Sequence, residues 1–333
     1  MIGFFRTVLH PDRYHGHGKE PPFFEGWYYK LVDAAEARRY AIIPGVFLSR
    51  DPERHHAFVQ VLDGRTGQSA YHRYPADAFW AAKDRFEIRI GPNRFTACDI
   101  ALDLQGQDLP AQGMLRLRGL SPWPVRLTSP GIMGWYAWVP FMETYHGVVS
   151  LDHALEGSLT IAGEEIDFNG GRGYTEKDWG RSFPSAWVWF QTNHFGQPGI
   201  SLTASVAIIP WIGRSFPGFI VGLLHNGRLY RFATYTGAEI EKLDITDEEV
   251  AWTILDRRYR LEMRATRAAA GLIQAPTTVD MGRRIAETLD ARIEVRLHER
   301  QDGMGLLFEG MGRHGGLEAN GDLDRLVSMW REG

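Results

Sequence analysis

Between residues 23 and 321 the sequence shows almost no helical periodicity, and this is the strongest limit on its fold. From Phe23 the chain runs as short stretches rich in β-branched and aromatic residues, separated by turn signals such as Asp63-Gly64. Two stretches, RFEIRI and MLRLRGL, alternate apolar and polar residues, the pattern of half-buried strands. The best helix candidate is Asp322 to Arg331, near the end. An all-β protein with a short C-terminal helix is predicted.

The second half of the chain repeats the first. Four short patterns recur in the same order, 160, 166, 163 and 164 residues later; they are Trp27-Tyr28-Tyr29 with Trp187-Val188-Trp189, Ala41–Pro44 with Ala207–Pro210, Leu62–Arg65 with His225–Arg228, and Ile90–Phe95 with Ile254–Tyr259. We interpret this order as two tandem domains, each a closed or nearly closed antiparallel barrel or sandwich of seven to nine strands. The predicted divisions are an N-terminal arm (1–20), a first β-domain (21–180) and a second β-domain (181–333).

Composition narrows the class of protein further. A length of 333 residues suits about two domains, and the net charge of −4 gives no reason to expect a nucleic acid partner. The single cysteine, Cys98, excludes an internal disulfide and a thiolate zinc site. The sequence shows no signal peptide and no run of 18 apolar residues, so a cytoplasmic protein is predicted, with access to a membrane surface left open. The oligomeric state is left open too.

Polar and aromatic side chains are concentrated between Gly170 and Phe195. The part from Gly170 to Pro184 contains four glycines and a proline, and we predict loop and turns there. The part from Ala186 to Phe195 reads as a strand, with Trp187, Trp189, Gln191 and Asn193 on one face and Val188, Phe190, Thr192 and His194 on the other. If the first part is also extended, Glu176 and Asp178 point one way and Lys177 the other.

The carboxyls of this segment are candidate general acids. Burial beside Trp179 or Tyr174 would raise the pKa of Glu176 or Asp178, whereas pairing with Lys177 or Arg181 would make them part of a solvated turn. Glu25, two residues before Trp27, is a further candidate. His194 is either a proton relay or a core histidine.

Other polar groups have weaker functional interpretations. Arg172 and Arg181 either clamp a substrate oxygen or pair with the nearby acids. His146 and His153 are assigned structural roles. His15-x-His17 lacks a carboxylate at helical spacing, so we expect a surface arm and no metal site.

Familiar cofactor and nucleophile motifs are missing from the sequence. The run GGRG at 170–173 is followed by no Gly-Lys-Ser/Thr and has no strand–helix unit around it, so it is neither a phosphate loop nor a dinucleotide fingerprint. Ser182 and Ser185 lie outside any Gly-x-Ser-x-Gly elbow. No cofactor is therefore expected.

Three segments resemble the tocopherol cyclase and tocopherol cyclase-like family. They are PPFFEGWYYKL (Pro21–Leu31), GWYAWVPFMETYHGVVSLDH (Gly134–His153) and GYTEKDWGRSFPSAWVWFQTNHF (Gly173–Phe195). More distantly the chain resembles carotenoid hydratases and lipocalin-like pericyclases. The resemblance implies tandem lipocalin-like domains and a cofactor-free enzyme that protonates an alkene of a prenylated hydroquinone, whose phenol then traps the cation as a chroman ring.

The resemblance identifies segments, and the roles below are our assignment to this chain. The candidate acids are Asp178, Glu176 and Glu25, with His194 as a relay. Candidate substrate contacts are an aromatic wall and polar groups for the ring: Trp27, Trp179, Trp187, Trp189, Tyr174, Gln191, Asn193, Arg172 and Arg181. The expected partner is a hydrophobic small molecule. Two alternatives stay open, a related enzyme acting on another polyene and a non-catalytic carrier, and carboxyls paired with Arg172, Arg181 or Lys177 would favour the carrier.

Overall fold

The computed structural model describes residues 7–300 and 305–332, and these form two compact β units. One comprises the chain up to Phe183 together with Gly271–Ile285, and the other comprises Pro184–Ala270 and the chain from Ala286 onwards. The segment 271–285 therefore lies in the second half of the sequence but belongs to the first unit. In the described chain no helix has both the length and the apolar character needed to cross a membrane.

The first unit is built on a 12-stranded antiparallel sheet, larger than the seven to nine strands expected. The strands of this unit are β1 (Phe23–Val32), β2 (Arg39–Leu48), β3 (His56–Asp63), β4 (Ser69–Pro75), β5 (Phe79–Ala81), β6 (Glu87–Ile90), β7 (Asn93–Thr96), β8 (Asp99–Leu104), β9 (Ala111–Arg118), β10 (Val125–Arg126), β11 (Ser129–Pro130), β12 (Thr144–Ile161), β13 (Glu164–Asp167) and β14 (Arg172–Gly180). The sheet order is β4-β3-β2-β1-β14-β12-β9-β8-β7-β6-β5. Residues from both ends of this order, such as Val61 and Ile88, share one core with Trp27 and Leu159, so the sheet curves around that core.

The second unit has its own curved sheet and core. The remaining elements are β15 (Ala186–Thr192), β16 (Ser201–Trp211), β17 (Arg214–His225), β18 (Arg228–Ala233), β19 (Glu239–Ile245), β20 (Glu249–Leu255), β21 (Tyr259–Thr266), β22 (Gly271–Ala275, in the first unit), β23 (Arg283–Glu299), β24 (Gly305–Gly321) and α1 (Leu323–Glu332). The order is β18-β17-β16-β15-β24-β23-β21-β20-β19. Val188, Phe190 and Trp252 lie in the core, and Leu326 of α1 packs there too. The predicted all-β fold with a short C-terminal helix is confirmed.

The two sheets share a topology, since each begins with a four-strand meander whose first strand pairs with the last strand of its own sheet in chain order. The second match of the repeat, Ala41–Pro44 with Ala207–Pro210, agrees with the structure. Its equivalent residues Ile42 and Ile208 each face the core of their own unit. The first match is wrong. Trp27 lies in the first core, whereas the second core contains Val188 and not Trp187. An error of one residue in a strand alignment moves a side chain to the other face, so the comparison of Glu25 with Ser185 fails as well.

The loop predicted from Gly170 to Pro184 is also wrong, because Arg172–Gly180 forms β14 between β1 and β12. Glycine and charge argued for a turn, but hydrogen bonding to strands on both sides outweighs local propensity. The prediction that Glu176 and Lys177 point in opposite directions if this segment is extended is confirmed. Tyr28 pairs with Glu176, whereas the core residue Trp27 pairs with Lys177, so the acid and the lysine lie on opposite faces of the sheet.

The N-terminal arm lies on the surface only in part: residues 17–20 are exposed as expected, whereas residues 7–16 are buried or half-buried. Residues 1–6 of the predicted arm lie outside the described residues. His15 is buried, and Tyr14 packs against the core of the first unit. The Trp27 indole donates a hydrogen bond to the Asp12 carbonyl at 3.2 Å. The arm is fixed on the sheet by hydrogen bonds. The buried side chains of Glu25, Trp27 and Lys177 bond to the backbone of the arm, and Glu25 also contacts the His15 ring.

Candidate active site

Strand β14 carries a different group of ionisable side chains on each of its two faces. Lys177 and Trp179 point inward with Glu25 and Trp27, their neighbours on β1. The alternate residues of β14, Tyr174, Glu176 and Asp178, occupy the opposite face, which we call the outer face. A single strand therefore separates two clusters that the sequence analysis had treated as one.

The outer cluster consists of Tyr174, Glu176, Asp178 and His146, which β12 places directly opposite Asp178. His146 Nδ1 lies 2.9 Å from Asp178 Oδ1, and His146 Nε2 lies 3.4 Å from Glu176 Oε2. The Tyr174 hydroxyl donates a hydrogen bond to the same Glu176 oxygen. Tyr174 and Glu176 are buried, whereas the Asp178 side chain is 29% exposed and that of His146 is 14% exposed. Asp178 is thus the member of the cluster that a substrate reaches most easily.

The outer cluster holds a proton on its imidazole. Burial by itself would lower the pKa of His146, but the charges of Glu176 and Asp178 and the contacts with both carboxylates raise that pKa well above its usual value. At neutral pH the ring is therefore an imidazolium between two carboxylates. Its proton lies in a hydrogen bond to the more exposed one, Asp178.

Aromatic side chains lie beside Asp178 on the outer face. The next residues along its row are Gly26 and Gly45, which have no side chains, and then Phe58 of β3. Phe58 belongs to an apolar cluster with Phe24, Phe47 and Met281, and partly buried rings such as Tyr71 and Phe183 pack against it. The Phe24 and Phe183 rings are 5.3 Å apart, edge to face. The outer face thus offers a carboxyl next to a wall of aromatic rings.

The inner cluster is a closed ion pair. Glu25 and Lys177 are both fully buried and bonded to each other. Glu25 also accepts a hydrogen bond from the His15 backbone N–H at 2.8 Å and lies 3.2 Å from the His15 ring. The Lys177 ammonium donates to the Arg13 carbonyl and lies 3.1 Å from His15 Nδ1. The charges are thus matched by partners from the sheet and from the arm.

Aromatic rings complete the inner cluster. The Lys177 ammonium lies 4.5 Å from the ring centre of Trp27 and 4.7 Å from that of Trp179, a cation–π arrangement. The His15 ring stacks on Trp179 at 4.0 Å. Trp27 and Trp179 were expected to line a wall beside the acid, with Asp178, Glu176 and Glu25 as the candidates. They lie on the same face as Glu25, opposite Asp178, and pack around a lysine of the protein itself.

Electrostatics keep Glu25 ionised. Burial alone would raise the pKa of Glu25, but the Lys177 ammonium and the hydrogen bond to His15 hold that pKa below its ordinary value. A carboxyl in this state is a poor proton donor, and its side chain is enclosed. Among the three candidate acids, only Asp178 combines partial exposure with a proton-bearing neighbour.

The two predicted arginines do not join the outer acids. The Arg172 guanidinium bonds Asp152, with Nε 3.1 Å from Oδ1 and Nη2 2.6 Å from Oδ2. Arg181 is exposed and donates to the Phe141 carbonyl at 3.3 Å. Among the described ion pairs, Glu176 and Asp178 are not paired with Arg172, Arg181 or Lys177. The arrangement that would have favoured a carrier is therefore not observed.

The remaining predicted residues lie on β15 and just beyond it, in the second unit. The Trp187 indole donates to Glu318 Oε2 at 2.6 Å, and His194 Nδ1 lies 3.0 Å from Asn193 Oδ1. Trp189 and Gln191 are buried on the same face of the sheet as Trp187. His194 pairs with its sequence neighbour, whereas Asp178 pairs with His146.

The donor atoms of His146, Glu176 and Asp178 lie within 4.8 Å of one another, a spacing that also suits a metal ion. A cation would have to displace the imidazolium proton that pairs the ring with both carboxylates. Binding of a cation and protonation of the ring therefore exclude each other.

Sequence reasoning missed His146 and the phenylalanines of β1 to β3. His146 was assigned a structural role, which does describe His153, where burial and the charge of Arg172 lower the pKa to about 3. A signal for His146 was present, because it lies in Gly134–His153, one of the three segments that resemble the family. Its pairing with Asp178 depends on the register between β12 and β14.

Fold and site together define a tandem lipocalin-like β protein with a proton-holding cluster on the outer face of its first sheet. Residues 114–321 match the family described as Tocopherol cyclase-like, and the chain belongs to that family. It is 24% identical to the chloroplastic tocopherol cyclase of Zea mays, covering 81% of this chain and 67% of that one. It is 23% identical to the probable chloroplastic tocopherol cyclase of Oryza sativa subsp. japonica, covering 79% and 67%.

A solved structure supports the fold. The crystal structure of CghA with Sch210972 matches with a TM-score of 0.55 at 11% identity, over 91% of this chain and 89% of that chain. At this identity the likeness concerns the fold alone.

Proposed function

We propose that this protein is a cofactor-free cyclase that converts a prenylated hydroquinone into a chromanol. The reaction is an isomerisation: a proton adds to the alkene, the phenol oxygen bonds to the tertiary carbocation, and the phenol proton returns to the enzyme. The observation that carries the proposal is the hydrogen bond between His146 and the part-exposed Asp178, on the sheet face that also carries the aromatic cluster.

The outer cluster supplies both proton transfers of this reaction. The His146 imidazolium passes its proton across the 2.9 Å hydrogen bond to Asp178, and Asp178 delivers it to the alkene. The pair is then an imidazole beside a carboxylate, which accepts the proton that the phenol loses when its oxygen bonds to carbon. Glu176, held by the Tyr174 hydroxyl, keeps the imidazole oriented and stabilises its charged form. No atom is gained or lost in the cycle.

The aromatic cluster suits the intermediate of this reaction. A tertiary carbocation needs a surface that stabilises positive charge without adding to it, and the faces of aromatic rings do this. On the same face as Asp178, Phe24 lies one strand away and Phe58 three strands away, with only Gly26 and Gly45 between Phe58 and Asp178 in that row. Phenylalanine has no nucleophilic atom, so the cation survives until the phenol oxygen attacks.

One observation favours a second candidate, the hydration of a related polyene. The Asp178 side chain is 29% exposed, so water can reach the carboxyl that protonates the alkene. Capture of the cation by water instead of a phenol would give a tertiary alcohol. The two reactions share the acid and differ in the nucleophile.

The test is incubation of the protein with a prenylated hydroquinone in deuterated water under reducing conditions. Protonation by an exchangeable acid places one deuterium on carbon in the chromanol, which mass spectrometry detects after the hydroxyl is exchanged back to hydrogen. Asp178→Asn should abolish this product. A product heavier by one water would identify the hydratase.

The control is Asp108→Asn, which alters an exposed loop carboxyl and should leave turnover unchanged. Recovery of the hydroquinone unaltered, or full activity in Asp178→Asn, would contradict the proposal. Binding of the substrate without any turnover would instead support a carrier.

A further inference from the structure

Four large apolar side chains are exposed within one short segment of the first unit. They are Val125, which is 41% exposed, Leu127, 68%, Trp135, 45%, and Phe141, 49%. Single exposed apolar residues are common on any protein surface, but a group of them in one segment marks a surface that binds a partner. We call these four residues the apolar patch.

The most exposed member of the patch, Leu127, lies at the tip of a hairpin. Strands β10 and β11 pair with each other and form a sheet of their own, separate from the 12-stranded sheet. The turn that joins them consists of Leu127 and Thr128. Turn positions ordinarily carry polar residues or glycine, so a leucine at this tip is placed for burial against something other than the core of its own unit.

The 3-10 helix Gly131–Trp138 joins a second part of the patch to this hairpin. Side chains three residues apart in a 3-10 helix lie on the same side, so Trp135 and Trp138 share a side. The Trp138 indole donates a hydrogen bond to the Leu127 carbonyl at 2.9 Å. The exposed Trp135 ring and the hairpin tip therefore belong to one surface.

Phe141 continues the patch towards the outer cluster. Its carbonyl accepts a hydrogen bond from Arg181 at 3.3 Å. Arg181 follows directly after β14, three residues beyond Asp178, and Phe141 precedes His146 of β12 by five residues. Because His146 and Asp178 pair across these two strands, the patch begins at the same strand ends that carry the proton-holding pair.

The charge of this segment is of one sign. Between Asp108 and Glu143 the sequence has no acidic residue and three arginines, although the whole chain has a net charge of −4; the arginines are Arg116, Arg118 and Arg126, all of them exposed. Arg126 directly precedes Leu127 at the hairpin tip. Tryptophan and other aromatic side chains favour the boundary between water and lipid, and nearby arginines favour negatively charged lipid phosphates. The pattern of apolar tip, exposed tryptophan and arginine matches both properties of an anionic bilayer surface.

We propose that the hairpin of β10 and β11, with the apolar patch, binds the surface of an anionic lipid bilayer. Leu127 and Trp135 enter the boundary layer of the lipid, and Arg126 contacts its phosphates. A prenylated substrate dissolved in the bilayer then reaches the outer cluster from the adjoining strand ends. This delivery of substrate rests on the proposed function, whereas binding to the bilayer does not.

The test is sedimentation of the purified protein with two kinds of vesicle, phosphatidylcholine mixed with phosphatidylglycerol and phosphatidylcholine alone. We expect binding to the anionic vesicles that weakens as salt is added. Leu127→Asp should weaken this binding by about tenfold or more, because a charge replaces the apolar tip. Arg126→Gln should weaken it about fivefold on anionic vesicles and leave binding to neutral vesicles unchanged, because one contact with phosphate is removed.

The matched control is Leu272→Asp, which places the same charge at another exposed leucine of the first unit, 53% exposed on β22. It should bind the anionic vesicles as the unaltered protein does. Since Leu127, Arg126 and Leu272 are all exposed, the three variants should keep the melting temperature of the unaltered protein.

Four results would decide against the bilayer as the partner or separate it from catalysis. No binding to anionic vesicles, or equal binding by the unaltered protein and Leu127→Asp, would overturn the proposal. An equal loss in Leu272→Asp would do the same, since added charge alone would then explain it. If Leu127→Asp turned a dimer into a monomer on gel filtration and no vesicle were bound, the patch would join two copies of the chain. If vesicles are bound through Leu127 but no prenylated hydroquinone is cyclised, the inference stands and the proposed function fails.

Discussion

The two faces of strand β14 carry ionisable clusters of similar composition and opposite character. On the inner face, Glu25 and Lys177 are fully enclosed, and His15 from the N-terminal arm covers them. On the outer face, His146 bonds Asp178, whose side chain remains 29% exposed. Each cluster combines carboxylate, histidine and aromatic neighbours, yet only the outer one is open to a ligand.

The difference teaches that composition does not distinguish a structural charge cluster from a chemical one. In the inner cluster the charges bond to one another and to the backbone of the arm, so they fix the arm on the sheet. In the outer cluster a proton is held at a carboxyl that solvent can reach. The two roles differ in whether every charged group is bonded within the protein and in whether solvent can reach the cluster. Both features depend on the folded chain.

The largest effect is expected from Lys177→Met, which removes the positive charge beside Glu25. A buried carboxylate left without its partner costs about 3–5 kcal/mol of stability. Urea denaturation should show this loss, whereas Lys83→Met, at an exposed position, should change the free energy of unfolding by less than about 0.5 kcal/mol. Equal stability of the two variants would mean that the inner cluster does not hold the fold together.

Asp178→Asn should act on turnover and leave stability almost unchanged. Loss of a positioned general acid lowers the rate about 10²- to 10⁴-fold. Because the side chain is part-exposed, the urea midpoint should stay close to that of the unaltered protein. A large loss of stability in this variant would make the outer cluster structural as well, and the contrast between the faces would disappear.

Removing both inner charges should cost less than removing one. In Glu25→Gln with Lys177→Met neither side chain leaves an unpaired buried charge, so we expect a loss of about 1–2 kcal/mol. The free energies of unfolding of the two single variants and the double variant form a thermodynamic cycle that gives the coupling energy. Additive losses would show that the two residues do not act as a pair.

The smallest effect is the pH dependence that His146 gives to stability. Its pKa is raised in the folded protein, so its contribution is complete below the ordinary imidazole value of about 6.5 and is lost as pH rises through the raised pKa. The unaltered protein should therefore lose stability gradually above neutral pH. His146→Gln should lose less over the same range; identical pH profiles would show that the imidazole is not charged in the fold.

Prediction from the sequence succeeded for features that repeat along the chain. Alternation of apolar and polar residues predicted the strands and the opposite faces of Lys177 and Glu176, because side-chain direction in a strand follows from position alone. It failed for β14 itself, where Gly170, Gly171 and a run of charges indicated a turn. Pairing with β1 and β12, which lie far away in the sequence, makes that segment a strand.

The sequence by itself determined the β class, the repeated architecture, the family resemblance and the segments that carry the chemistry, because local periodicity and residue type encode these. Only the tertiary structure decided the partners, Glu25 with Lys177 and Asp178 with His146. The physical reason is register. Which residues face each other across two strands depends on long-range pairing, and a shift of one residue would exchange the inner and outer clusters.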